Sequence, residues 1–115
     1  MTIAIFGNTF RPTIIAQLKV LFNYFRQREV RVLLDSQLFE YFKANSEECP
    51  DDLLLIENDD FGADLALSIG GDGTFLNTAA RIGAKNIPIL GINTGRLGFL
   101  ADVPGDQLEK ALDAI

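Results

Sequence analysis

Residues 69–76, Ile69-Gly70-Gly71-Asp72-Gly73-Thr74-Phe75-Leu76, place one carboxylate among three glycines. The glycines admit positive φ and let a ligand approach the backbone without meeting a Cβ. Residues 64–69, just before, are short and mostly apolar and predict a buried strand. Just after, Phe75, Leu76, Ala79 and Ala80 recur at i, i+1, i+4 and i+5 and predict a helix packed on that face. A strand, a glycine turn and a helix leave the first helical N–H groups pointing out of the turn. With the positive end of the helix dipole they form a site for an anion such as phosphate. Asp72 then has two explanations. As a helix cap it satisfies a backbone donor, worth about 1 kcal/mol. As a catalytic group it orients and deprotonates a hydroxyl attacking a phosphoryl group, worth roughly 10²–10⁴ in rate. The turn alone leaves both open.

Composition narrows the chemistry. The 115 residues bound the chain to one domain, small for an enzyme but long enough for a core. Hydrophobic content of 48% with 23% charged residues is that of a folded globular chain. A formal net charge of −6 argues against a nucleic-acid surface, and an anionic substrate then needs local help from arginine, backbone dipoles or bound Mg²⁺. Histidine is absent and Cys49 is the single cysteine, which excludes His-dependent triads, His-ligated zinc and an internal disulfide. A general base must be a carboxylate or a perturbed lysine, and no residue is assigned as a metal ligand. No apolar run reaches membrane-span length and the N-terminus lacks a signal-peptide layout, so a cytoplasmic location and no membrane partner are expected.

The elements that must hold the turn alternate along the chain. Residues 2–6 predict a strand closed by Gly7 and Asn8, and Pro12 suits the first turn of the next helix. Ile14, Ile15, Leu18, Leu21, Phe22 and Phe25 fall on one face of that helix, which carries packing and no chemistry. Residues 30–34 predict a second strand, with Asp35-Ser36 placed to cap a short helix through about Phe42. Residues 53–56 read as a strand, and the acidic residues 57–60 as a solvated loop. Beyond the central helix, Gly83 is placed for a C-cap with Arg81 and Lys85 near the negative dipole end. Residues 86–92 predict a strand, 93–100 a glycine-rich loop, and 106–115 a helix with Leu108, Ala111, Leu112 and Ile115 on one face.

Such alternation predicts an α/β fold: a doubly wound, mostly parallel sheet with helices on both faces. Ligands gather outside the carboxyl ends of such strands. Three turns fall at that edge: Gly7-Asn8-Thr9, the central glycine turn, and the loop from Asn93 to Phe99. No Walker-type G-x-x-x-x-G-K-[ST] is present, and Leu76 takes the place of the third glycine of the dinucleotide fingerprint. A phosphate turn that carries its own acid is a third type.

Gly70-Gly71-Asp72-Gly73-Thr74 resembles the GGDGT/S signature shared by NAD kinases, 6-phosphofructokinases, and diacylglycerol and sphingosine kinases. Residues 90–102, LGINTGRLGFLAD, are similar to the L-G-I-N-x-G-x-L-G-F-L-x-D block of NAD kinases, which the other groups lack. The resemblance implies an NAD kinase/phosphofructokinase-like N-terminal domain and transfer of the ATP γ-phosphoryl group to the 2′-hydroxyl of the adenosine ribose of NAD. It puts Asp72 in the place of the proton acceptor and Gly73 in that of the NAD-contacting glycine. Phe99 falls where the family has an aromatic residue near the adenine; a core phenylalanine is the other explanation. Thr74 and Asn77 join the expected substrate-binding set, although Asn77 adds no positive charge where some members have a basic residue. Arg11 and Arg96 lie in loops at the active edge, either to meet phosphates or simply solvated.

The expected cofactor is Mg²⁺ or another divalent cation with ATP, the partners NAD and ATP, and the full-length enzyme a homo-oligomer. NAD kinases are more than twice this length, with a second, β-rich domain that supplies an Asn-Glu/Asp pair and most NAD contacts. Residues 1–115 are therefore expected to be the single N-terminal domain, with little or no kinase activity alone. A sugar or lipid kinase of the same GGDG class and a non-catalytic nucleotide-binding module are the competing readings.

Overall fold

Strand and helix alternate as expected except between residues 56 and 65, where one strand leads to the next without a helix. The computed structural model describes residues 1–8, 13–45, 53–93 and 102–104. In chain order the elements are β1 (Thr2–Gly7), α1 (Thr13–Gln27), β2 (Arg31–Asp35), α2 (Ser36–Asn45), β3 (Leu54–Ile56), β4 (Leu65–Ile69), α3 (Asp72–Ile82), β5 (Ile89–Asn93) and β6 (Asp102–Pro104). The six strands form one sheet in the order β3-β2-β1-β4-β5-β6, and every pairing is parallel. From β1 the chain winds outward through β2 to β3, then returns to β4 and winds the other way. The reversal lies between β1 and β4, where a doubly wound sheet opens a crevice at its carboxyl edge.

Side-chain alternation along the strands divides the core in two. Ile3 and Ile5 of β1 and Leu65 and Leu67 of β4 pack with Ile14, Leu18, Leu21 and Phe25 of α1 and with Leu38 and Phe42 of α2. Ala4, Phe6 and Ala66 point to the opposite face, where Ile82 of α3 covers them. Helices thus lie on both faces, and β1 and β4 are buried on both sides, which is why they are mostly apolar, with Ser68 the polar residue inside β4. The face read for α1 is the one buried, and Phe22 meets Phe42 edge-on with ring centroids 5.2 Å apart.

Several boundaries differ from expectation for local reasons. The strand expected at 86–92 starts only at Ile89, because Asn86 takes φ 57° and breaks extended backbone. Val30 donates its N–H to the Phe25 carbonyl at 3.0 Å, closing the end of α1, so β2 starts at Arg31. The strand β6 was not expected; it is three residues long and ends in Pro104, which an edge strand tolerates. On α3 the buried residues are Thr78 and Ile82, whereas Leu76 is 65% exposed and Ala80 is also exposed. The helix is present, but its apolar-looking stripe is not the face that packs on the sheet. Gly83 does end it, with φ 57° and its N–H donating to the Ala79 carbonyl at 3.0 Å. The Lys85 ammonium donates to the Arg81 carbonyl at 3.2 Å, as a cation near the dipole end should. Expectations for Thr9, Arg11, Pro12, Cys49, Arg96, Phe99 and the 106–115 helix lie outside the described residues.

Ser68 sits on β4 between Phe6 of β1 and Gly91 of β5. It is 2% exposed, and its hydroxyl has no hydrogen-bond partner among the described residues. A buried hydroxyl left unbonded costs roughly 1–3 kcal/mol. Ser68→Ala is therefore expected to hold or raise the thermal midpoint. A fall of several degrees would show that the hydroxyl is bonded in solution.

Candidate functional site

The carboxyl ends of β1 and β4 are tied together where they turn. The Asn8 N–H donates to the Ile69 carbonyl at 2.9 Å, and the Gly70 N–H donates to the Ile92 carbonyl at 2.9 Å. The central glycine turn is thereby fixed at the sheet's point of reversal. Gly70 has φ +155°, and a Cβ there would stand 2.6 Å from the Thr74 hydroxyl oxygen and 3.1 Å from the Asn8 Cβ. Only glycine fits. Gly71 and Gly73 differ: a Cβ on either would meet nothing within 4 Å. Nothing in the described fold requires glycine at these two positions. The open space above them is where a ligand can reach the backbone.

Gly71 is the N-cap of α3, in extended backbone at φ −103°, and no side chain caps the helix. The Phe75 N–H donates to the Gly71 carbonyl at 3.1 Å, while the N–H groups of Asp72, Gly73 and Thr74 fall in the first turn, where an α-helix has no internal acceptors. Asp72 is the first helical residue, exposed and at the positive end of the dipole. The helix-cap explanation of Asp72 is corrected by this geometry: the capping position belongs to Gly71.

Beside the turn opens a cavity of about 750 Å³. Gly7 and Asn8 line it from the end of β1, Asp35 from the end of β2, and Glu57 from just beyond β3. Gly73, Thr74, Asn77 and Arg81 line it from α3. Of the expected site residues, Gly73, Thr74 and Asn77 are thus brought together on one wall. Asp72 adjoins them but is not among the described lining residues, and Phe99 lies outside the described residues.

Two residues expected only to serve helix ends, Asp35 and Arg81, also line this cavity. Asp35 stands directly before α2, as expected of a cap, but its carboxylate takes the Arg81 guanidinium at 2.5 Å. Arg81 also donates from Nε to Asp59 at 2.9 Å and lies 4.9 Å from the centre of the Phe6 ring. The acidic loop 57–60 is therefore not merely solvated. Burial works against the Arg81 charge, but hydrogen bonds and attraction from Asp35 and Asp59 outweigh it and hold its pKa above the ordinary arginine value. A raised cationic pKa gives stability that is complete at neutral pH and is lost only as pH climbs past the arginine range. Asp35 and Arg81 are 46 residues apart, so no local pattern joins them. The one available signal was an acid at the end of the second strand of an alternating fold.

The fold and the turn define a doubly wound α/β domain with a glycine turn at its switch point. Residues 3–115 match the family profile described as the ATP-NAD kinase N-terminal domain. The chain belongs to the NAD kinase family. It is 39% identical over 115 residues to the NAD kinase of Bacteroides fragilis and 39% identical over 117 residues to that of Cytophaga hutchinsonii. In both matches the whole chain is covered, and it spans 40% of the relative's length. Among solved structures, yeast NADH kinase complexed with NADH matches with a TM-score of 0.82 at 20% identity, over 98% of this chain and 37% of that one. At that identity the likeness speaks for the fold.

Proposed function

We propose that the full-length protein transfers the γ-phosphoryl group of ATP to the 2′-hydroxyl of the adenosine ribose of NAD, forming NADP. This chain supplies the catalytic turn. The observation that carries the reading is an exposed acid at the first position of α3, beside two glycines with open space above them. The N–H groups of Gly73 and Thr74 would receive phosphate oxygens, with Asn77 hydrogen-bonding the ligand from the same wall. Asp72 would orient the ribose hydroxyl and take its proton as the oxygen attacks the γ-phosphorus. The bond from that phosphorus to the β–γ bridging oxygen breaks, and ADP leaves. Phe99 would lie against the adenine.

Mg²⁺, or another divalent cation arriving with ATP, would neutralise phosphate charge. The N–H groups of the turn give a cation no ligand, so it would be held chiefly by phosphate oxygens and water, with the Asp72 carboxylate the one protein oxygen donor of the turn. The relatives named NAD kinase and the NADH kinase neighbour support a dinucleotide as acceptor. A homo-oligomer in the cytoplasm completes the proposal; no helix among the described residues is long and apolar enough to cross a membrane. The remaining length of the relatives would supply the rest of the dinucleotide site, so residues 1–115 alone would turn over little or no substrate.

An acceptor panel tests this. With γ-labelled ATP and Mg²⁺, the full-length protein is expected to label NAD and to leave fructose 6-phosphate and diacylglycerol unlabelled. Label on either of those instead of NAD would move the protein to a sugar or lipid kinase. Tight dinucleotide binding without any transfer would make it a sensor.

A further inference from the structure

Asp35 is the buried carboxylate of the cavity. It is nine-tenths buried, its position is held by Arg81, and it lines the cavity of about 750 Å³. The cavity has two chemically different ends. Toward α3's first turn stand Gly73, Thr74 and the Gly7-Asn8 turn, which offer backbone and neutral polar groups. Toward the ends of β2 and β3 stand Asp35 and Glu57, whose carboxylates accept hydrogen bonds from hydroxyls, with the Arg81 guanidinium beside Asp35. The glycine end suits the phosphates of a nucleoside triphosphate, and the acid end suits its sugar hydroxyls. β2 and β4 are two interstrand spacings apart, about 10 Å, a span that a triphosphate chain can bridge.

We infer that Asp35 accepts hydrogen bonds from the ribose hydroxyls of the donor nucleotide, with Arg81 as the positioning residue that holds its carboxylate. The inference rests on the reading of the protein as an ATP-dependent kinase and adds the residue that selects the donor's sugar. Arg81 occupies one carboxylate oxygen, and Phe6 supports the guanidinium from its ring face. An acid at the end of the second strand of a sheet in this order is well placed to meet a ribose at the crevice. Here the acid is partly neutralised, so a nearby phosphate chain is not driven off.

The test compares ATP with 2′-deoxy-ATP and 3′-deoxy-ATP as donors for the full-length enzyme at saturating NAD. The wild type is expected to show a KM about 10- to 100-fold higher for at least one deoxy analogue, the loss of a hydrogen bond to a charged acceptor. Asp35→Asn should raise the KM for ATP and erase much of that discrimination, with kcat and the KM for NAD little changed. Arg81→Met should weaken the discrimination in the same direction. Equal use of ATP and both analogues by the wild type would overturn the assignment while leaving the kinase reading intact, and needs no variant. So would undiminished discrimination in a folded Asp35→Asn enzyme. An enzyme that takes no ATP at all would remove both.

Discussion

Asp72→Asn in the full-length enzyme is expected to lower kcat by about 10²–10⁴-fold, with the KM values for ATP and NAD little changed. The amide has the shape of the carboxylate and can still hydrogen-bond the ribose hydroxyl, but it cannot take the proton. The substitution should leave the fold intact. Asp72 is exposed, and Gly71 holds the capping position. Its charge near the dipole is worth roughly 0.3–1 kcal/mol. Steady-state rates and a thermal midpoint measured on the same preparation separate the two effects. A midpoint that collapses along with the rate would return Asp72 to a structural role.

The glycine turn is expected to split two neighbouring substitutions in opposite ways. Gly70→Ala should destabilise the domain by about 2–4 kcal/mol, combining a φ that L-residues avoid with a Cβ driven into Thr74 and Asn8. Gly71→Ala meets no atom of the described residues within 4 Å and sits at an ordinary φ of −103°. It should therefore melt like the wild type and still lose most of its activity, because the added methyl occupies the approach to the backbone. Denaturant midpoints and initial rates for both variants check this. A fully active Gly71→Ala enzyme would mean that no ligand closes on the turn there.

The sheet was legible because its signals are local and strong. Apolar runs with no alternation mark strands buried on both faces, and six apolar residues at helical spacing mark α1. The glycine turn was legible as chemistry because glycine and acid together are hard to explain as packing. α3 was misread on its packed face, since alanines mark burial weakly and Leu76 beside the turn is exposed. The sheet order and the Asp35–Arg81 pair depend on crossovers that bring β2, α3 and the loop after β3 to one edge. Contacts across 46 residues leave no periodic trace. Asp59 was read as solvated because it lies in a run of acidic and polar residues; it nevertheless meets a guanidinium from another element.

The most direct measurement is a structure of the full-length enzyme with NAD and a non-hydrolysable ATP analogue, read at a single distance. The Asp72 carboxylate should lie within hydrogen-bond reach of the adenosine ribose 2′-hydroxyl, about 2.6–3.2 Å or through one water. A bound, aligned acceptor whose 2′-hydroxyl lies well beyond that reach, with another group in its place as base, would contradict the proposal.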